Sequence, residues 1–586
     1  MRLSEEQSAA VTYGGDVYVS ACPGSGKTRA LTARIARGIQ ELPIRGGKVL
    51  AVTFTNRAAD ELRARIESHD AYESKKMWAG TIHSFALEWI IRPYAAFLEE
   101  TRHGYAVIDE YEARKILKTL RVEFGVGPFD DVNTRIDKHG IVENQSPKAE
   151  SVAQKYFQIL KQRKKIDFDQ VLYYAYSILI ANSDIAEVIG SIFSVICIDE
   201  AQDISELQFS ILSTLYNSSI IKPKLFLVGD EDQAIYAGLG GVPKNARELG
   251  GQFEGSNFKT FAFKDNYRST QRLVDYFSYF RSVTGGVSKS LRKESKGVIS
   301  FCNQTVPLPS LPRAIATIIR ERLDSKIPAN EICVIAPQWV HIRKLTRDLI
   351  ELLPDVGFDA PAISPFHGQH DNVWYLLSKI ALTEPSGRLV STRIRWASDI
   401  IVKFNEGFSC SIEQRPIKLL QIVNSFNSVT KVGSQYLEEC FGFFLSRLGL
   451  QLESNSQLKA EYDLFIEKTL ANIQGGDGFC EDDIEVFRGF FKESSGVVIN
   501  TCHGVKGEEY DTVVAFGLLR GFIPHWNDII DVPESVGESS ESKMLYVVCS
   551  RAKENLYLIA ESGRLTKSKR AYETSRLLQG CTFQYD

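Results

Sequence analysis

The chain has 586 residues, more than one hydrophobic core can serve, so about three or four domains are expected. Lys and Arg number 69 against 73 Asp and Glu, and the resulting net charge of −4 argues against bulk binding of a polyanion, so any grip on nucleic acid must be local to a groove. The ten cysteines form no CxxC pair for zinc or an iron–sulfur cluster, the N-terminus is too polar for a signal peptide and no apolar stretch reaches membrane length, a pattern that reads as cytoplasmic.

In chain order, the apolar run Val17-Tyr18-Val19 predicts a strand, Ala21-Cys22-Pro23-Gly24-Ser25-Gly26-Lys27-Thr28 a glycine-rich loop, and residues 28–40 a helix. Such a strand–loop–helix holds a triphosphate. Gly24 and Gly26 let backbone N–H groups close around phosphate oxygens, the helix start offers its positive dipole end, Lys27 adds a point charge, and the Thr28 hydroxyl faces Mg²⁺. Val49 to Val52 and a helix over 58–66 continue a βαβ pattern. Residues 88–175 turn helix-rich, charged and aromatic, which reads as a helical insertion.

Strands return at Val195 to Ile198, Leu225 to Val228 and Thr260 to Phe263. The first of these delivers Asp199-Glu200-Ala201-Gln202-Asp203 at its C-terminal end. Asp199 there would hold hydrated Mg²⁺, and Glu200 would orient or deprotonate the attacking water. An acidic loop that merely caps a helix is the alternative for this run alone. A second α/β unit has strands at Val298 to Phe301 and Ile332 to Ile335. It is interrupted by a helical stretch over 366–495 and resumes at Val497 to Ile499, Thr512 to Phe516 and Leu556 to Ile559. Residues 529–542, rich in Asp, Glu, Ser and Gly, read as a mobile surface loop.

An ordered series of motifs resembles the UvrD/Rep group of superfamily 1 helicases. Leu3-Ser4-Glu5-Glu6-Gln7 is similar to an adenine-reading Q motif, with Gln7 facing the base. Thr53 to Ala59 and Gly80 to Phe85 resemble motifs Ia and Ib, and Val228 to Tyr236 resembles motif III. Asn266-Tyr267-Arg268-Ser269 resembles motif IV, Thr501 to Tyr510 motif V and Leu545 to Ala552 motif VI. The turn Asp167-Phe168-Asp169 resembles the acidic–aromatic signature that the family places before the carboxylate-bearing strand.

The resemblance implies two RecA-like parallel-sheet P-loop domains of α/β class, each with a mainly helical insertion. The first takes 1–87 and 176–267, with 88–175 inserted; the second takes 268–365 and 496–586, with 366–495 inserted. It implies ATP and Mg²⁺ as cofactors, with Lys27, Glu200, Gln233, Arg268 and Arg551 catalytic. Gln7, Gly24, Ser25, Gly26, Lys27, Thr28, Arg29, Tyr267 and Glu509 would hold nucleotide, and Thr28 and Asp199 the metal. Phe54, Asn56, Arg57, Thr81, His83, Tyr236, Thr501 and His503 would meet DNA.

Arg268 and Arg551 lie far from the phosphate loop in sequence, so hydrolysis is expected to await closure of a cleft that brings Arg551 across. After Tyr236, where the family continues with an aromatic residue and an arginine, this chain reads Ala237-Gly238-Leu239-Gly240-Gly241, lacking one stacking platform and one cation. The function implied is an ATP-dependent 3′-to-5′ translocase or helicase on single-stranded or tailed duplex DNA, without a membrane partner. The alternative is a DNA-sensing ATPase subunit that regulates a partner nuclease in a bacterial defence or repair complex.

Overall fold

The computed structural model describes residues 3–586 except 43–45, 68–72, 109, 128–130, 237, 239, 282–288, 293–296, 370–371, 387–388, 409, 475–480, 492–495 and 531. Of the altered run after Tyr236, Ala237 and Leu239 therefore lie outside the described residues. The chain forms two compact units. One comprises Met1–Ile108, Lys115–Leu308 and Val505–Asp586, the other Asp109–Arg114 and Pro309–Gly504.

The first unit contains an all-parallel sheet ordered Met77–Gly80, Lys48–Val52, Phe193–Ile198, Lys224–Gly229, Val17–Ala21, Lys259–Phe263. Its central strands are apolar at consecutive positions because both faces are covered. Val17, Val19, Val49, Ala51, Val195, Cys197, Phe226 and Val228 point to one face, where helix Lys27–Gln40 brings Leu31, Ile35 and Ile39. Tyr18, Leu50, Val52, Ile196, Ile198, Leu225 and Leu227 point to the other, against Phe85, Ile90 and the helices Phe168–Ala181 and Glu206–Ser218. This alternation is the period of two that a strand imposes.

A second parallel ladder in this unit joins Ile299–Pro307, Ala552–Ser562 and Tyr510–Phe516. Residues 534–542, expected as part of a mobile loop, instead begin the helix Glu534–Cys549. Its buried Gly537, Glu541 and Ser542 explain the misreading: a Cβ at Gly537 would stand 2.9 Å from the Asp528 carbonyl, so small and polar residues mark close packing here. Ser542 Oγ donates to the Phe280 carbonyl at 2.5 Å.

The second unit has its own parallel ladder, in which Val497–Thr501 pairs with Ile332–Ala336 and with Phe358–Asp359. Its helical part packs Trp374, Leu377, Phe404, Phe441, Phe465 and Phe487 into one core. No helix among the described residues is long and apolar enough to cross a membrane.

Candidate functional site

The loop after strand Val17–Ala21 is shaped by neighbours that hold its carbonyls. Asn266 Nδ2 donates to the Pro23 carbonyl at 2.7 Å, the Tyr267 N–H to that of Gly24 at 2.8 Å, Gln7 Nε2 to that of Ser25 at 2.8 Å, and Ser25 Oγ to that of Cys22 at 2.6 Å. Gly24 and Gly26 have φ of 70° and 80°, where a side chain is strained; a Cβ on Gly26 would stand 2.7 Å from Gln7 Nε2. The following helix, Lys27–Gln40, has no side-chain cap at Gly26, and the first N–H groups of a helix have no acceptor within it.

Lys27 completes a cradle for an anion. Its ammonium is buried and makes no hydrogen bond among the described residues, and Glu200 Oε2 lies 3.7 Å away. A buried ammonium with unused donors at a helix N-terminus, where the first N–H groups have no acceptor within the helix, fits a polyphosphate. Arg29 stands 5.9 Å from the centroid of the Tyr267 ring, which is 38% exposed and open to stacking.

Strand Phe193–Ile198 carries two carboxylates to the same edge. Burial first, and then the Glu200 charge, push Asp199 up to about 7 against the pull of Lys27. Burial also acts against the Glu200 charge, but Lys27, Lys506 and Arg551 outweigh it and hold that carboxyl low. Glu200 has φ 49° and ψ 49°, a left-handed conformation rare outside glycine, and Gln202 Nε2 donates to its Oε2 at 2.6 Å. Two adjacent acids beside a lysine, Asp199 buried and Glu200 partly so, are hard oxygen donors that with the Thr28 hydroxyl could hold a divalent cation.

Arg551 is buried and donates through Nη2 to Gln233 Oε1 at 2.9 Å, through Nε to the Val547 carbonyl at 3.0 Å and through Nη1 to the Glu508 carbonyl at 3.2 Å. Gln233 Nε2 in turn donates to Asp230 Oδ2 at 2.6 Å. Arg551 thus sits against Gln233, within the unit that carries the phosphate loop. Its bonds to the 508 and 547 backbones fix it from its own side. Arg268 bonds Glu509 Oε2 at 2.7 Å and the Ser550 carbonyl at 3.1 Å.

The strand-facing candidates divide between the units. In the first, Phe54 lies against Tyr236, ring centroids 4.4 Å apart. Asn56 and Arg57 are exposed at the start of helix Asn56–Glu67, with Arg57 paired to Glu508 at 3.0 Å. Thr81 caps the helix Ile82–Phe85, and His83 packs edge-on to Phe168 at 5.7 Å. In the second unit Thr501 Oγ1 accepts the Gly504 N–H at 3.0 Å, and His503 follows on the same segment. Gln7 is buried, its carbonyl oxygen taken by the Ser4 N–H at 3.1 Å and its amide by Ser25.

Residues 3–254 match the UvrD/REP helicase N-terminal domain, and residues 468–563 match the UvrD-like helicase C-terminal domain. The ATP-dependent DNA helicase PcrA of Leuconostoc citreum is 30% identical over 657 aligned positions, which take in 98% of this chain and 84% of that protein. The chain belongs to the UvrD/Rep helicase family. Among other UvrD/Rep relatives, the putative ATP-dependent DNA helicase YjcD of Bacillus subtilis is 25% identical over 633 positions, 97% of this chain and 80% of the relative. The ATP-dependent DNA helicase UvrD1 of Mycobacterium tuberculosis is 29% identical over 293 positions, 46% of this chain and 38% of that protein, so the matched part spans well under half of UvrD1.

Three residues of this UvrD/Rep site escape sequence reasoning, Lys506 first among them. Lys506 is buried, pairs with Asp203 at 2.5 Å, donates to the Gln233 carbonyl and lies 5.0 Å from the Tyr236 ring centroid. The available signal is a lysine between Val505 and Gly507, inside a run whose Thr501, His503 and Glu509 draw the attention. Asp203 and Gln202 escape with it.

Proposed function

We propose that the chain is an ATP-dependent translocase or helicase that moves 3′ to 5′ on single-stranded or tailed duplex DNA, in the cytoplasm. Family membership supports the class, and the buried Lys27 ammonium, which makes no hydrogen bond among the described residues and lies 3.7 Å from Glu200, is the observation that carries the chemistry. On this reading the terminal phosphate of ATP meets Lys27, Arg268 and Arg551, while Tyr267 stacks on adenine and Glu509 lies near the ribose. Glu200, low in pKa and oriented by Gln202, positions the attacking water. Mg²⁺ held by Asp199 and Thr28 would neutralise charge building on the phosphate oxygens.

Lys506 supplies the coupling. It binds the Gln233 carbonyl, whose side chain binds Arg551, and it stands over the ring of Tyr236, which packs on Phe54. A change in what Arg551 and Gln233 touch is therefore passed through packed polar contacts to the aromatic pair facing the strand. The boundaries 1–87 with 176–267, and 268–365 with 496–586, belong to this reading as its two motor domains, each with its helical insertion.

Strand displacement on duplexes with a 3′ or a 5′ tail tests the proposal. Unwinding of the 3′-tailed duplex alone is expected; equal action on both tails, or on the 5′ tail only, contradicts the polarity. The reading as a nuclease-regulating subunit rests on the departure after Tyr236, where Gly238 has no side chain. It would be favoured by unwinding that requires an added partner.

A further inference from the structure

We propose that Glu508 is a latch on the strand-binding face: its carboxylate holds the Arg57 guanidinium until a phosphate of single-stranded DNA takes its place. The proposal rests on the function just stated, on which Arg57 meets the strand, and adds to it a residue that sets strand affinity.

The two side chains are 451 positions apart and meet within the unit that carries the phosphate loop. Arg57 Nη1 lies 3.0 Å from Glu508 Oε1, and Nη2 donates to Oε2 at 3.2 Å, so the fork engages both carboxylate oxygens. A two-point pair of this kind is directional and stronger than a single contact. It is also within reach of solvent. The Arg57 side chain is 71% exposed and that of Glu508 24%, so an incoming anion meets the guanidinium directly.

The charges around the pair make it a competitor for the strand. Burial pushes the Glu508 carboxyl up, Arg57 is the strongest attraction opposing that rise, and Glu61 and Glu509 add to it as like charges. When Arg57 leaves, Glu508 loses its main counter-charge. A strand phosphate must therefore work against the pair to reach Arg57. Glu61, one turn along the same helix, lies 3.5 Å from Arg57 Nε and stays beside it, so it takes no part in the exchange.

The latch joins two segments with different duties. Arg57 lies in the first turn of helix Asn56–Glu67, shortly after Phe54, whose ring packs on Tyr236. The Glu508 carbonyl accepts Arg551 Nη1 at 3.2 Å, and the neighbouring Glu509 holds Arg268 Nε at 2.7 Å. Exchange of Glu508 for a phosphate thus releases, from the strand-facing helix, the segment that holds both arginines.

The test is a double-variant cycle read by fluorescence anisotropy of a labelled oligothymidylate, with the full-length parent, E508Q, R57Q and R57Q/E508Q. Glutamine keeps the size of the side chain and gives up its charge. E508Q is expected to bind the strand about threefold more tightly than the parent, since Arg57 is then free to meet it. A gain in affinity cannot come from a misfolded variant. R57Q is expected to bind more weakly, with a log–log salt slope shallower by about 0.7. In the R57Q background, adding E508Q is expected to leave the affinity where it was, because the residue it would release is gone. Equal tightening by E508Q in both backgrounds would overturn the proposal and make Glu508 a general repulsive charge. Absence of tightening in the Arg57 background would overturn it as well. If the parent itself fails to bind the oligonucleotide, the functional reading falls instead.

Discussion

Arg551 and Gln233 lie 318 positions apart in sequence, and Arg551 Nη2 donates to Gln233 Oε1 at 2.9 Å in a buried setting. Because Gln233 also holds Asp230 and its backbone carbonyl receives Lys506, a change at either residue is felt by both. Arg551→Ala should lower DNA-stimulated kcat on the order of 10³-fold or more. The double variant with Gln233→Ala should be little worse than Arg551→Ala alone, since the two act as a unit. Steady-state ATP hydrolysis of the four proteins in the cycle measures this; additive losses would show that the bond has no part in turnover.

Lys506→Met leaves Asp203 buried without its partner, and breaking such a pair costs about 3–5 kcal/mol. A lower midpoint in urea is expected, with partial recovery when Asp203→Asn is added, because the uncompensated charge is then gone.

The His83 ring keeps part of its surface open, but burial around it lowers its pKa from 6.5 to about 4. It is therefore neutral near pH 7. As pH falls from 6.5 toward 4, the unfolded chain takes up a proton that the folded one refuses. Stability that is fully present above pH 6.5 is then lost, up to about 3 kcal/mol from this group. His83→Asn should flatten that share of the slope in unfolding midpoints at pH 7.5, 6 and 5.

Gly26→Ala places a Cβ 2.7 Å from Gln7 Nε2 at a φ of 80°, so it strains the loop by about 1–2 kcal/mol and displaces the Gln7–Ser25 bond. A fluorescent ATP analogue should bind more weakly to this variant, whereas Gly14→Ala, where a Cβ meets nothing within 4 Å, should bind as the parent does.

The parallel sheet was legible because its strands are short apolar runs and its phosphate loop puts Gly24, Gly26 and Lys27 at fixed spacing. The motifs also single out residues that the structure brings together, among them Lys27 with Glu200 and Gln233 with Arg551. What lay beyond reach were relations made by packing. Lys506 has a partner 303 positions earlier in Asp203, and Arg57 meets Glu508 across 451, separations at which no local pattern exists. Residues 534–542 read as loop because the run is polar and rich in Ser and Gly, both poorer helix formers, yet Glu541 has the Leu577 N–H as partner at 2.7 Å. Tertiary contact, invisible in composition, overrode the local preference there.

The central claim is that Lys27 and Glu200 act on a bound triphosphate in response to a DNA strand. It is tested most directly by ATP hydrolysis with and without single-stranded DNA, comparing the parent with Lys27→Ala and Glu200→Gln. The parent should be strongly stimulated by the strand and both variants should lose DNA-stimulated turnover while remaining folded by circular dichroism. Turnover in either variant equal to the parent's would contradict the account.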